Sequence, residues 1–146
     1  MPHVELALTD LGQLSTAFRP EPRDPFACWA AAVCNAVEPS LVIDSRETII
    51  AMSPSCVAML GLREAPIGQP LRSGALRLID FSSHPDELTD TDVGKIPPLL
   101  SLSSGRLARG LIRVDCDGSV CTLDAVATPI GAEGEIVGSL TFFSAV

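Results

Sequence analysis

Five cysteines, two histidines and eighteen acids are the side chains of this 146-residue chain best suited to chemistry, so their spacing is the first question. Cys28, Cys34, Cys56, Cys116 and Cys121 are an odd number with no Cys-x-x-Cys and no paired Cys/His ligand spacing, which argues against a disulfide framework or a structural zinc site. They read as small apolar thiols in a core. Cys116 and Cys121 flank a predicted tight turn on one face, but diagonal neighbours there lie about 7 Å apart, too far for comfortable bridging. Ser83, His84 and Asp86 lie close together in the sequence, yet a catalytic triad is assembled across elements beside an oxyanion site rather than along one loop. No Gly-x-Ser-x-Gly, P-loop, Gly-x-Gly-x-x-Gly or His-Glu-x-x-His occurs. No catalytic residue, no metal site and no enzymatic activity are therefore expected.

Composition narrows the partners. Ten basic residues against eighteen acids give a net charge of −8, which disfavours nucleic acid and anionic membrane surfaces, because both draw binding energy from cationic side chains. No apolar run approaches the roughly 20 residues of a membrane helix. The first ten residues carry two acids and no Lys or Arg, unlike a secretory signal, so a cytoplasmic protein is expected. With 47% apolar residues in 15.3 kDa, one packed domain is expected rather than a disordered chain.

The elements that must position these residues follow from local pattern. Residues 1–23 mix polar, Pro and charged positions without a sustained period and read as a leader. Over residues 24–38, Asp24 as cap, Pro25 in the first turn and a stripe of Phe26, Trp29, Ala30, Val33 and Val37 predict an amphipathic helix that Pro39 ends. Residues 41–44 and 48–52 predict a hairpin. Ser53 as N-cap, Pro54 at the first helical position and Gly61 as left-handed stop delimit a two-turn helix. Pro66, Gly68, Pro70 and Gly74 allow only single turns and connectors over 62–78. Residues 80–92, with five acids and no cation, predict a solvated loop. Another short helix is expected over 96–104, opening with Pro97 and Pro98 and closing at Gly105.

The last third changes period. Ile112, Val114 and Cys116 alternate with Arg113 and Asp115, and Asp117-Gly118 suits a type I′ turn. The return strand then sends Cys121, Leu123, Ala125 and Ala127 to one face, with Val120, Thr122, Asp124 and Val126 on the other. A turn at 131–134 leads to a final apolar strand over 135–145. The expected fold class is α+β, a five-stranded antiparallel sheet with short helices on one face and an amphipathic helix at its N-terminal end, the domain proper spanning 39–146.

In this order the chain resembles a PAS domain, the sensory module of bacterial signalling proteins. Val42-Ile43-Asp44 and Ile49-Ile50-Ala51-Met52-Ser53-Pro54 resemble the family's first hairpin and following helix, with Ser-Pro where Asn-Pro is usual. Met59-Leu60-Gly61-Leu62, Asp117-Gly118-Ser119 and Glu135-Ile136-Val137-Gly138-Ser139-Leu140-Thr141 match later landmarks. Arg46-Glu47 departs from the common Asp-Gly of the first turn, and the acidic stretch before Ile96 is longer than usual. Nine Arg among ten cations suggest, by association, a GC-rich and actinobacterial source.

The resemblance implies a non-catalytic sensory or protein-interaction module that reports to a separate kinase or transcriptional regulator. Haem in some relatives needs a helical His; here only His84 is available, in an acidic loop before Pro85, so haem is not expected. The light-sensing branch carries Asn-Cys-Arg-Phe-Leu-Gln, and residues 62–81 hold nothing similar, so flavin is not expected either. A small apolar ligand between sheet and helices would be lined by Met59, Leu99, Leu100, Ile112, Val114, Cys121, Leu123 and Leu140, with Ala125 and Ser139 leaving room. The alternative is that these side chains simply fill the core. Phe26, Trp29, Val33 and Val37 would anchor a homodimer, or else pack within the chain on Val120, Val126 and Phe142 or Phe143. An apolar carrier without a signalling role and a small enzyme on a related scaffold remain the competing functions.

Overall fold

The computed structural model describes residues 24–146. The chain runs α1 (Ala27–Cys34), β1 (Ser40–Asp44), β2 (Ile49–Met52), α2 (Pro54–Met59), α3 (Leu71–Gly74), β3 (Leu78–Ile79), α4 (Asp90–Val93), α5 (Pro97–Ser104), β4 (Ala108–Cys116), β5 (Ser119–Ala132) and β6 (Glu135–Ala145). The strands form one antiparallel sheet in the order β2-β1-β6-β5-β4-β3. Six strands stand where five were expected. The extra one, β3, is two residues long within the 62–78 connector and pairs Leu78 with Val114 and Ile79 with Arg113. So short a strand carries no alternation of its own; β4's free edge creates it. Likewise α4 is a single turn inside the acidic stretch, where the Thr89 hydroxyl accepts from the Asp92 N–H.

Turn chemistry accounts for the other boundaries. Asp117 and Gly118 have φ of 52° and 87°, both left-handed as a type I′ turn requires, and Glu133 and Gly134 repeat the arrangement between β5 and β6. The first hairpin lacks Asp-Gly, and Glu47 takes the left-handed conformation instead. There Asp44 Oδ1 accepts from the Arg46 and Thr48 N–H groups, each at 2.9 Å, and closes the turn with a side chain. Ser53 Oγ accepts from the Cys56 N–H at 3.2 Å and from the Ser40 N–H at 2.9 Å, so the α2 cap also ties the helix to β1.

The helix expected over 24–38 is shorter and starts later. Asp24 Oδ1 accepts from the Phe26 N–H at 3.0 Å, closing a turn before the helix rather than capping it, and α1 begins only at Ala27. Phe26, Ala30 and Val33, spaced by four and three residues, face the sheet.

The sheet separates two apolar clusters. Val114 opposite Cys121, Ile112 opposite Leu123 and Ala125 opposite Phe143 look toward α2–α5, where they join Leu41, Ile43, Leu71, Leu76, Leu78, Val93 and Leu99. On the reverse face Val42, Ala51, Ile130 and Leu140 meet α1. Among the described residues no helix is long and apolar enough to cross a membrane.

Candidate functional site

The eight residues expected to line a pocket do not share one cavity. Ile112, Val114, Leu123 and Leu99 are buried together in the inner cluster, and Met59 and Cys121 border it half-buried. Leu100 points to solvent from the far side of α5. Leu140 lies on the opposite face, because it is paired with Val42 and Thr128 while its neighbours Ser139 and Thr141 look inward. Ser139 does not leave room: its Oγ donates to the Pro98 carbonyl at 2.9 Å, fastening α5 to β6.

Open space occurs beside β3 instead. A cleft of about 340 Å³ has Leu76, Leu78 and Val93 as its floor, and all three belong to the inner cluster that holds Ile112 and Val114. Pro85, Leu88 and Ile79 form one wall; Arg72, Arg77, Asp86, Glu87 and Asp115 form the rim. Arg72 is held by Asp90 at 2.8 Å, whereas Arg77 makes no ion pair among the described residues. The cleft combines an apolar base with charges of both signs, as a site for a small amphipathic molecule does. Local pattern does not reveal it, because its walls come from residues 72–93, whose Pro, Gly and acidic positions predict only connector and loop. The available signal was Leu76 and Leu78 alternating about Arg77, with Leu88 alone among acids.

The outer wall is built by the acidic stretch, which is exposed as expected but firmly tied. Asp80 Oδ1 accepts from the Ser82 hydroxyl at 2.6 Å, the Ser82 N–H at 3.1 Å and the Asp86 N–H at 3.4 Å. Arg113 Nη1 donates to the Asp80 and Ser82 carbonyls at 3.2 and 3.0 Å. The Ser82 hydroxyl, its N–H and then the Asp86 N–H hold the Asp80 carboxyl below its usual range, with the Arg113 charge adding to them. Beyond this hub, the Leu88 N–H donates to the Leu78 carbonyl at 3.1 Å, so residues 86–88 extend the sheet past β3.

Ser83, His84 and Asp86 are not brought into a triad. Ser83 Oγ lies 3.4 Å from His84 Nδ1, but the Asp86 carboxylate accepts from the Glu87 N–H and makes no bond to His84. His84 is exposed in its loop. Desolvation pushes the Cys56 thiol up to about 12; at Cys116 desolvation and the neighbouring Cys121 thiol do the same, to about 12. Neither is a ready nucleophile at neutral pH. Among the described residues no group of three His, Cys, Asp or Glu side chains converges as a metal site would require.

The residues expected to bind a second chain divide in two. The Phe26 ring lies against Gly138, where a Cβ would come within 2.6 Å of Phe26 Cε1 and collide with the Ile43 carbonyl oxygen, so only glycine permits the contact. Val33 is buried beside it. Trp29 is 41% exposed and Val37 87% exposed. Phe143 is buried in the inner cluster and Phe142 stands on the outer face with Val126.

No family model matches the chain, and no curated protein matches it in sequence. Its shape has many counterparts among solved structures. The PAS domain of BvgS from Bordetella pertussis superposes with a TM-score of 0.61 at 14% identity, covering 85% of this chain and 88% of that one. The PAS domain of the nitrogen regulation protein NR(II) from Vibrio parahaemolyticus gives 0.56 at 16% identity, covering 82% and 99%. A LOV protein from Rhodobacter sphaeroides gives 0.65 at 14% identity, covering 86% and 69%. The chain is a PAS-fold domain, as the order of its hairpins and capped helix had indicated.

Proposed function

We propose that this protein is a non-catalytic sensory module of cytoplasmic signal transduction that passes its output to a separate kinase or transcriptional regulator. One observation carries the reading: a PAS-fold domain whose side cleft has a floor continuous with the core of its sheet. A molecule that reaches Leu76, Leu78 and Val93 touches the cluster that sets the packing of Ile112 and Val114. A ligand favouring one packing over another then shifts the population of sheet conformations by its difference in affinity. The PAS domain from a nitrogen regulation protein has the same fold, which agrees with a regulatory role. The site takes a small molecule with an apolar body and a polar end, and neither haem nor flavin is part of the proposal. Trp29 and Val37 are the proposed contacts of a homodimer, since Phe26 and Val33 are committed to the chain's own sheet.

Native mass spectrometry of the full chain purified from cells tests the ligand. Leu88→Arg places a charge in the cleft wall, at a half-buried position that borders the inner cluster. An added mass on the wild type that disappears in this variant is the expected result. A bare protein mass in repeated preparations, or an adduct indifferent to Leu88→Arg, would count against the cleft.

A further inference from the structure

The first hairpin turn holds a residue ill suited to its backbone. The Glu47 N–H donates to the Asp44 carbonyl and the Asp44 N–H to the Thr48 carbonyl, each at 3.0 Å, which closes a loop of Ser45, Arg46 and Glu47. The last residue of such a loop sits in the left-handed region and is usually Gly, because a Cβ there costs free energy. Here it is Glu47, at φ 65°. Its backbone is also held from the far side, where the Leu71 N–H donates to the Glu47 carbonyl at 2.9 Å. A strained residue fixed on two sides points to a use for its side chain.

Glu47 lines a groove of about 320 Å³ between this turn, α5 and the start of β6. Leu99, Leu102 and Ser103, spaced by three and four residues, share the α5 face that borders it, and Ile136 of β6 completes the apolar wall. Glu47 is half-buried and makes no ion pair among the described residues. The Ser103 hydroxyl donates to the Leu100 carbonyl at 3.2 Å, which commits its proton and leaves its oxygen to accept.

An ammonium group has three N–H donors and no acceptor. The Glu47 carboxylate and the Ser45 and Ser103 hydroxyl oxygens are acceptors on this groove, and the net charge of −8 favours a cation. We propose that the groove binds a small organic ammonium ion, its charge at Glu47 and its hydrocarbon body on Leu99, Leu102 and Ile136. The groove shares no lining residue with the cleft beside β3, so the inference stands apart from the sensory reading above.

Titrating the isotope-labelled full chain with hexylammonium, hexanoate and hexanol tests this, with backbone amide resonances as the readout. Hexylammonium is expected to shift the Glu47, Leu102, Ser103 and Ile136 amides saturably, and the other two probes to bind at least about tenfold more weakly. Glu47→Gln keeps the shape and removes the charge, and should weaken hexylammonium by a similar factor. Glu47→Gly should lose binding as well, yet unfold at a higher urea concentration than wild type, because glycine takes the left-handed conformation without strain. That gain separates a lost site from a lost fold. No saturable shift at these amides overturns the proposal, as do equal binding of the three probes and an affinity that survives Glu47→Gln. Shifts confined to Leu76, Leu78 and Leu88 also overturn it and assign the cation to the cleft beside β3. A Glu47→Gly protein less stable than wild type overturns it by making Glu47 a residue of the fold.

Discussion

At the residue scale, two positions carry constraints that their type alone does not reveal. Gly138 has no room for a methyl group between the Ile43 carbonyl and the Phe26 ring, so Gly138→Ala should displace α1 and destabilise the domain by about 1–3 kcal/mol, as overpacking does. Urea denaturation should show the loss, and a variant as stable as wild type would mean that Phe26 does not seat there. Asp80 is a pH-dependent latch on the cleft wall. Its carboxyl is held down in the folded state, so its contribution is fully present above the unfolded value of about 3.9 and is lost as pH falls through the lower folded value. Exchange at Asp86 and the 82–86 amides should therefore accelerate only below about pH 4. In Asp80→Asn that acid-triggered step should vanish; a step persisting unchanged in the variant would assign it to another group.

Elements show how one side chain serves two structures. Ser53 caps α2 and also receives the buried Ser40 N–H of β1, while its own hydroxyl donates to the Glu38 carbonyl at 3.0 Å. Ser53→Ala should then cost about 2 kcal/mol, above the ~1 kcal/mol of a typical cap, because a second buried N–H loses its acceptor. Ser53→Thr should recover most of the stability, and a loss below about 0.5 kcal/mol for Ser53→Ala would show that water replaces the hydroxyl. The boundaries of α2 and α5 were legible from Ser53, Pro54, Gly61, Pro97 and Gly105, since caps and stops act through bonds and φ values within a few residues. The start of α1 was not: Asp24 had two local uses, a cap or a turn, and the packing of Phe26 on Gly138 accompanies the second.

Across the whole molecule, one sheet couples two cores. Leu123→Ala, in the inner cluster, should cost about 2–5 kcal/mol, a large part of the 5–15 kcal/mol typical of a domain. Trp29 reports from the other face, and its fluorescence should follow the same transition as far-UV circular dichroism, at a lower midpoint than wild type. Separate transitions would show that α1 detaches without the sheet.

The sequence by itself determined the type I′ turn at Asp117-Gly118, the presence of a turn between β5 and β6, the α2 and α5 limits, and the inward alternation of Ile112, Val114, Leu123 and Ala125, because each depends on dihedrals or on a period of two within a single hairpin. Only the tertiary structure decided which side Leu140 takes, that β3 exists, and where the open cleft lies. A register shift between Ile130 and Gly131 separates the alternation of β5 from that of β6, and one such residue exchanges every inward side chain for an outward one. Pairing partners distant in the chain set that shift, and the cleft likewise forms where the 72–93 segment closes over the edge of a strand that follows it by some twenty residues.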